Sequence, residues 1–150
     1  MYIAAMGLSA WFLELGSWQD GVGGMARTNF EKLRVYQLAE NLADAVWEIV
    51  RAWDRFAQDT VGKQLVRSAD SIGANIAEGT GRGSHQDNRR FVRMARGSLY
   101  ETQHWLRRAY RRKLLTGQQT QRLKTVVDEL APTLNAYLTS IKPKASDRDT

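Results

Sequence analysis

Residues 68–83 read SADSIGANIAEGTGRG, and the reading of this stretch decides the fold. It closes on three glycines spaced two apart, Gly79, Gly81 and Gly83, with Arg82 between the last two. One reading is a phosphate-cradling loop. Such a loop follows a strand, opens a helix and carries Gly-Lys before Ser or Thr. No strand-like run precedes these glycines, and no Gly-Lys pair stands among them. The other reading is punctuation between helices. Gly79 then takes the position just past a helix end. Gly81 and Gly83 make a flexible turn, and Ser84 caps the next helix. The residues favour punctuation, with Arg82 left on the turn where it can contact an anion.

Working outward, apolar residues recur at helical steps on both sides. A first helix is predicted from Asn29, capped by Thr28 or Asn29, to about Trp53, with Phe30, Leu33, Leu38, Leu42, Ala45, Ile49 and Trp53 facing inward. The polar run DRFAQD connects it to a second helix over Asp59–Glu78. There Val61, Leu65, Ile72 and Ile76 form one stripe, beside a second stripe of Val66, Ala69, Gly73 and Ala77. Small residues admit a neighbouring helix, which would explain Gly73. A third helix covers Ser84 to about Leu114, burying Phe91, Ala95, Ser98, Thr102, Leu106 and Ala109. A fourth covers Gln118–Ser140, with Pro132 expected to kink or split it near Glu129. With no strand candidate, four amphipathic helices on short connections predict an all-α, antiparallel up-down four-helix bundle over residues 25–142. The tail after Lys142 is polar and reads as disordered.

The first 24 residues differ: apolar, glycine-rich and without a Lys or Arg. A secretory signal would need a positive start, and a membrane span a longer apolar run. Two readings stay open. Residues 1–24 are a poorly ordered or short amphipathic extension using Trp11, Phe12, Leu15 and Trp18, or Met25 is the natural start, as the composition break at GVGGM suggests. The absence of cysteine excludes disulfides, thiolate zinc sites and a cysteine nucleophile, and suits the cytoplasm. The two histidines, His85 and His104, have no second ligand at a metal-binding spacing. Ser68, Ser71 and Ser98 lack a His/Asp partnership. Glu78 and Asn75 are weak evidence for catalysis, being better suited to holding the glycine turn or a subunit contact. The sequence therefore indicates no catalytic residues, no metal, no cofactor and no small-molecule substrate.

Charge carries the functional signal. The net charge is +6, yet residues 82–113 alone hold 10 basic residues against Asp87 and Glu101, a net +8. On a helical wheel with Arg89 at zero, Arg93 falls at about 40°, Arg96 at about −20°, Tyr100 at about 20°, Arg107 at about 0° and Arg111 at about 40°. His104 flanks this stripe, and Arg90, Arg108 and Arg112 form a shorter row beside it. The expected core positions centre near 200°, roughly opposite. An exposed helix face usually mixes charge signs, because i,i+4 pairs stabilise it. This face is nearly all arginine. Guanidinium forks fit phosphates, and Tyr100 and His104 can stack on unpaired bases. Nucleic acid, bound with little sequence preference, is the first candidate partner. A solvated face, or arginines paired with Asp44, Glu48 and Asp54 of a neighbouring subunit, are the alternatives.

Three segments together carry a family resemblance: FEKLRVYQLAENLADAVWEIV, QLVRSADSIGANIAEGTGR and FVRMARGSLYETQHWL. They resemble the four-helix-bundle proteins encoded in intervening sequences of bacterial 23S rRNA genes, a family that includes the accessory variability protein of diversity-generating retroelements. The resemblance covers Asn29–Ile141 and is most specific at Ser71–Gly79 and Ala95–Glu101. It implies a bundle assembled as a homopentameric ring, which in the retroelement branch binds reverse transcriptase and nucleic acid. Ser71, Ile72, Asn75, Ile76, Ala77, Glu78 and Gly79 would then be structural or subunit-contact positions. The chain departs from the pattern at Phe56-Ala57, where Phe-Pro is common, and in its N-terminal extension. The combined expectation is a non-enzymatic, oligomeric nucleic-acid-binding bundle that uses Arg82, Arg89, Arg90, Arg93, Arg96, Tyr100, His104, Arg107, Arg108, Arg111 and Arg112. The alternative is a protein-interaction scaffold docking an acidic protein partner.

Overall fold

Four helices make up most of the chain between residues 29 and 142, the part that a computed structural model describes. No strand occurs among the described residues. The expectations for residues 1–24, for Thr28 and for the tail lie outside them.

The chain opens with a 3₁₀ turn, Asn29–Lys32, followed by α1, Arg34–Val50. This corrects the expected cap: Leu33 stands at the N-cap in extended backbone and supplies no side-chain bond. The 3₁₀ turn displaces the helix start because it seats Phe30 edge-on against Tyr36, ring centroids 4.9 Å apart. The expected polar connection is also largely helical. Asp54 Oδ1 accepts the Ala57 N–H at 3.0 Å and starts a short turn, Arg55–Ala57. That turn runs through a π-helical stretch, Gln58–Gly62, into α2, Lys63–Thr80. A proline at position 57 would have no amide for this cap, so the Phe56-Ala57 departure has a local use. Gln58 Nε2 donates to the carbonyls of Val50, at 3.2 Å, and Arg51, at 2.9 Å, closing the end of α1.

Helix α3, His85–Arg111, starts at Ser84, whose Oγ accepts the Asp87 N–H at 3.0 Å as the sequence leads one to expect. Its end is closed by a Schellman pattern: Leu114 N–H donates to Ala109 O and Lys113 N–H to Tyr110 O, both at 3.0 Å. Lys113 occupies the left-handed position of that motif with φ 58°, where glycine is usual. Helix α4, Gly117–Ser140, opens with a capping box: Thr116 Oγ1 accepts the Gln119 N–H at 3.1 Å, and Gln119 Oε1 accepts the Thr116 N–H at 2.9 Å. Pro132 does not split α4; it lies on the exposed side, where water can stand in for the missing amide.

The core is contiguous, with Leu42, Leu65, Ile72, Ile76, Leu99 and Leu130 fully buried. Helix α2 packs on α1 and most extensively on α3, α1 also meets α4, and the α3–α4 seam is lighter. Val92 and Leu99 are buried on α3, whereas Phe91 and Ser98 are only half-buried. The core side of α3 is therefore centred near 250° on the wheel, not near 200°.

Gly79 corrects the opening stretch most directly. It lies inside α2, buried, and Gly81 takes the C-cap, donating its N–H toward the Ala77 and Glu78 carbonyls. Its lack of a side chain serves packing. A Cβ there would lie 2.6 Å from Asn88 Oδ1 and 3.0 Å from Phe91 Cβ. At Gly73, by contrast, a Cβ would meet Tyr36 Cε2 at 3.5 Å and Ala39 Cβ at 3.8 Å, which is ordinary contact. Three changes in stability follow, readable by chemical denaturation. Gly79→Ala should lose about 1–3 kcal/mol through overpacking. Gly73→Ala should gain up to about 1 kcal/mol of helix propensity. Lys113→Gly should gain about 1 kcal/mol by relieving the left-handed backbone.

Candidate nucleic-acid interface

Helix α3 carries the charge on a side left exposed among the described residues. Arg90, Arg93, Arg107, Arg111 and Arg112 are exposed, Arg96 and Arg108 half-buried. Among the described residues, ion pairs join Arg34 to Glu129, Arg51 to Glu48, Arg55 to Asp59, Arg82 to Glu78 and Lys124 to Asp128. None involves an arginine of α3. A row of cations without acids is self-repelling, and its charge stays available to an outside anion.

Two of the residues expected to bind phosphate are instead engaged in the fold. Arg82 pairs with Glu78, and its guanidinium lies 4.8 Å from the centre of the Phe91 ring. Glu78 thus holds the glycine turn. Arg89 is half-buried, and its Nη1 donates to the carbonyls of Leu138, at 2.9 Å, and Ile141, at 2.7 Å. A cation there satisfies the orphan carbonyls at the end of α4 and complements the helix dipole. Single-helix reasoning could not find this contact, because it joins residues about fifty positions apart.

Some of the remaining candidates gather toward α4, whereas Arg90, Arg93, Arg96 and Arg112 stand outside that group. A groove of about 790 Å³ between the C-terminal half of α3 and the N-terminal half of α4 brings together Tyr100, His104, Arg107, Arg108 and Arg111. Two residues join them that the sequence analysis missed, Tyr110 and Lys124. Tyr110 falls near 300° on the wheel, about 100° from the expected core centre and outside the basic stripe, so periodicity assigns it to neither face. It is 60% exposed. His104 meets Trp105 edge-on, ring centroids 4.9 Å apart.

The serines offer no chemistry. Ser68 Oγ donates to Leu65 O at 3.0 Å, and Thr102 Oγ1 lies 3.1 Å from Ser68 Oγ and 2.8 Å from Ser98 O. This is a buried polar bridge between α2 and α3. Ser71 Oγ donates to Arg67 O, and Asn75 to Ser71 O, each at 2.8 Å. Of the acids offered as partners for a neighbouring subunit, Asp54 caps a turn and Glu48 pairs with Arg51. Asp44 lies near Asp70, whose pKa is raised by burial and then by the Asp44 charge. Among the described residues no group of three His, Cys, Asp or Glu is placed to hold a metal, and no helix is long and apolar enough to cross a membrane.

Arg89→Gln should therefore cost stability, about 1–2 kcal/mol by denaturation for an exchanged charge-assisted bond pair, while leaving any salt dependence of nucleic-acid binding unchanged.

A comparison with curated proteins finds no match. Among solved structures, the fold is similar to that of a protein of unknown function from the S23 ribosomal protein family of Bacteroides thetaiotaomicron. The two share 23% identity with a TM-score of 0.63, over 71% of this chain and 99% of that one. A family profile for the 23S rRNA-intervening sequence protein matches residues 31–136, and on that match the chain belongs to the 23S rRNA-intervening sequence protein family.

Proposed function

We propose that the protein is a non-enzymatic nucleic-acid-binding bundle whose outer α3 face neutralises phosphates. The observation that carries this reading is the run of unpaired arginines: Arg90, Arg93, Arg107 and Arg111 are exposed and have no acidic partner among the described residues. Arg96, Arg108 and Arg112 add to the same field, with Tyr100 and His104 between them. Contacts of this kind are to backbone phosphates and give affinity without much sequence preference.

The same proposal includes an antiparallel run of the helices and their assembly into a homo-oligomeric ring, pentameric by the resemblance. Supporting the antiparallel run, Gly79 lies against Asn88 and Phe91 while Ser68 meets Thr102. Supporting assembly, Trp47 is 56% and Phe56 79% exposed. Trp47, Val50, Val66 and Ala74 also line a groove of about 670 Å³ on the α1–α2 side. Exposed apolar surface of this kind marks contact with another chain. A ring would repeat the α3 face, so weak phosphate contacts on each subunit would sum. A reverse-transcriptase accessory role, as in the retroelement branch, would place the basic face against the polymerase and its template. The second reading, docking of an acidic protein, uses the same charge.

A salt titration separates these readings. Wild type should bind RNA or duplex DNA with affinity that falls steeply as salt rises. Arg93→Gln/Arg107→Gln/Arg111→Gln, still folded, should bind weakly and flatten the log–log slope by about 2–3, the effect of losing three phosphate contacts. Absence of binding by wild type at low salt would reject the nucleic-acid reading and leave the acidic protein partner.

A further inference from the structure

We propose that the groove between α3 and α4 is a binding site for unpaired nucleotides, with Tyr100 and Tyr110 as stacking platforms and Arg107 and Arg111 as the phosphate rim. The proposal rests on the phosphate-binding reading of α3 and specifies which form of nucleic acid that face takes.

The first observation is the position of Tyr110. It shares its wheel angle, about 300°, with Val92. Val92 is completely buried, yet Tyr110 is 60% exposed. One wheel position of α3 thus lies in the core near the start of the helix and in an open groove near its end. Tyr100 is 59% exposed. Two large rings are left in water along one groove, about 15 Å apart along the helix axis. That separation gives each ring its own base.

The second observation is the lining. The groove has an apolar floor that includes Leu115, Leu123 and Val127, while Arg107 and Arg111 stand on the α3 side and Lys124 on the α4 side. Lys124 is paired with Asp128, so one wall carries a balanced pair and the other two arginines without acids. At about 790 Å³ the groove is large enough for a planar base with its sugar. Polar rims over an apolar floor suit a ligand with charged and flat apolar parts in alternation. A single strand is that ligand: its bases can splay onto aromatic rings while its phosphates track the cations. A duplex offers phosphates and sugars on its outside and hides its base faces, so it would leave the floor and both rings uncovered. An acidic protein would satisfy the arginines but give the tyrosines nothing specific to stack on.

The test measures fluorescence anisotropy with an unstructured oligonucleotide, as RNA and as DNA, and with the duplex of the same sequence, at matched salt. Tyr100→Leu/Tyr110→Leu keeps apolar cover without a flat face, and Tyr100→Phe/Tyr110→Phe keeps the face. The expected result is that the leucine pair weakens single-strand binding at least about tenfold and leaves both the duplex affinity and the salt slope unchanged. The phenylalanine pair should retain wild-type binding. Tight binding of either the RNA or the DNA strand satisfies the proposal. Equal losses on single strand and duplex, or no loss with the leucine pair, would overturn the groove assignment while the phosphate surface stands. No wild-type binding to any of the three probes would overturn the phosphate surface and the groove with it.

Discussion

The close approach of α2 and α3 is the constraint on which the remaining geometry depends. Two features hold it. At the turn end, Gly79 brings the α2 backbone against Asn88 and Phe91, leaving no room for even a methyl group. Further along, in the core, Ser68 donates to Leu65 O, and the one Thr102 hydroxyl proton is shared between Ser98 O of its own helix and Ser68 Oγ. Such buried hydroxyls cost desolvation unless bonded, so this pair favours one register over neighbouring ones. The Asn88 Oδ1 that rests on Gly79 has no hydrogen-bond donor.

Pulling α3 onto α2 settles what happens on its other side. The core side of α3 rotates so that Val92 and Leu99 point inward, and the basic stripe is not opposite the core but tilted toward α4. Near the start of α3 the gap to α4 is bridged by Arg89, which reaches the Leu138 and Ile141 carbonyls. Toward the end of α3, where a short turn joins it to α4, the two helices line the groove that holds Tyr110. One arginine in the row therefore stabilises the fold, while its neighbours one and several turns later remain available.

The family match spans residues 31–136 and takes in both the SIGANIAEG segment and the arginines of α3. The SIGANIAEG segment is packing and turn chemistry: Ile72 and Ile76 in the core, Gly79 at the helix contact, Glu78 holding Arg82. The charge that points to nucleic acid lies outside that segment, on the outer and α4-facing sides of α3. The segment accounts for how α2 meets α3 in this chain. It says nothing by itself about which anion meets the arginines.

The sequence by itself determined the four helices, most of their core positions and the concentration of positive charge on the third. These are local matters: helical periodicity, capping residues such as Ser84, and net charge per segment are properties of neighbours along the chain. Its errors were those a local reading must make. Gly79 looked like a helix terminator because nothing local reveals that Asn88 and Phe91 press on it. Arg89 looked like its neighbours because its carbonyl partners lie about fifty residues away. Tyr110 went unnoticed because the groove it lines is built with α4, and a wheel of α3 alone does not contain that neighbour. The tertiary structure alone decided these points, because the packing of one helix on another fixes rotation and separation, and neither is written in the residues of a single helix.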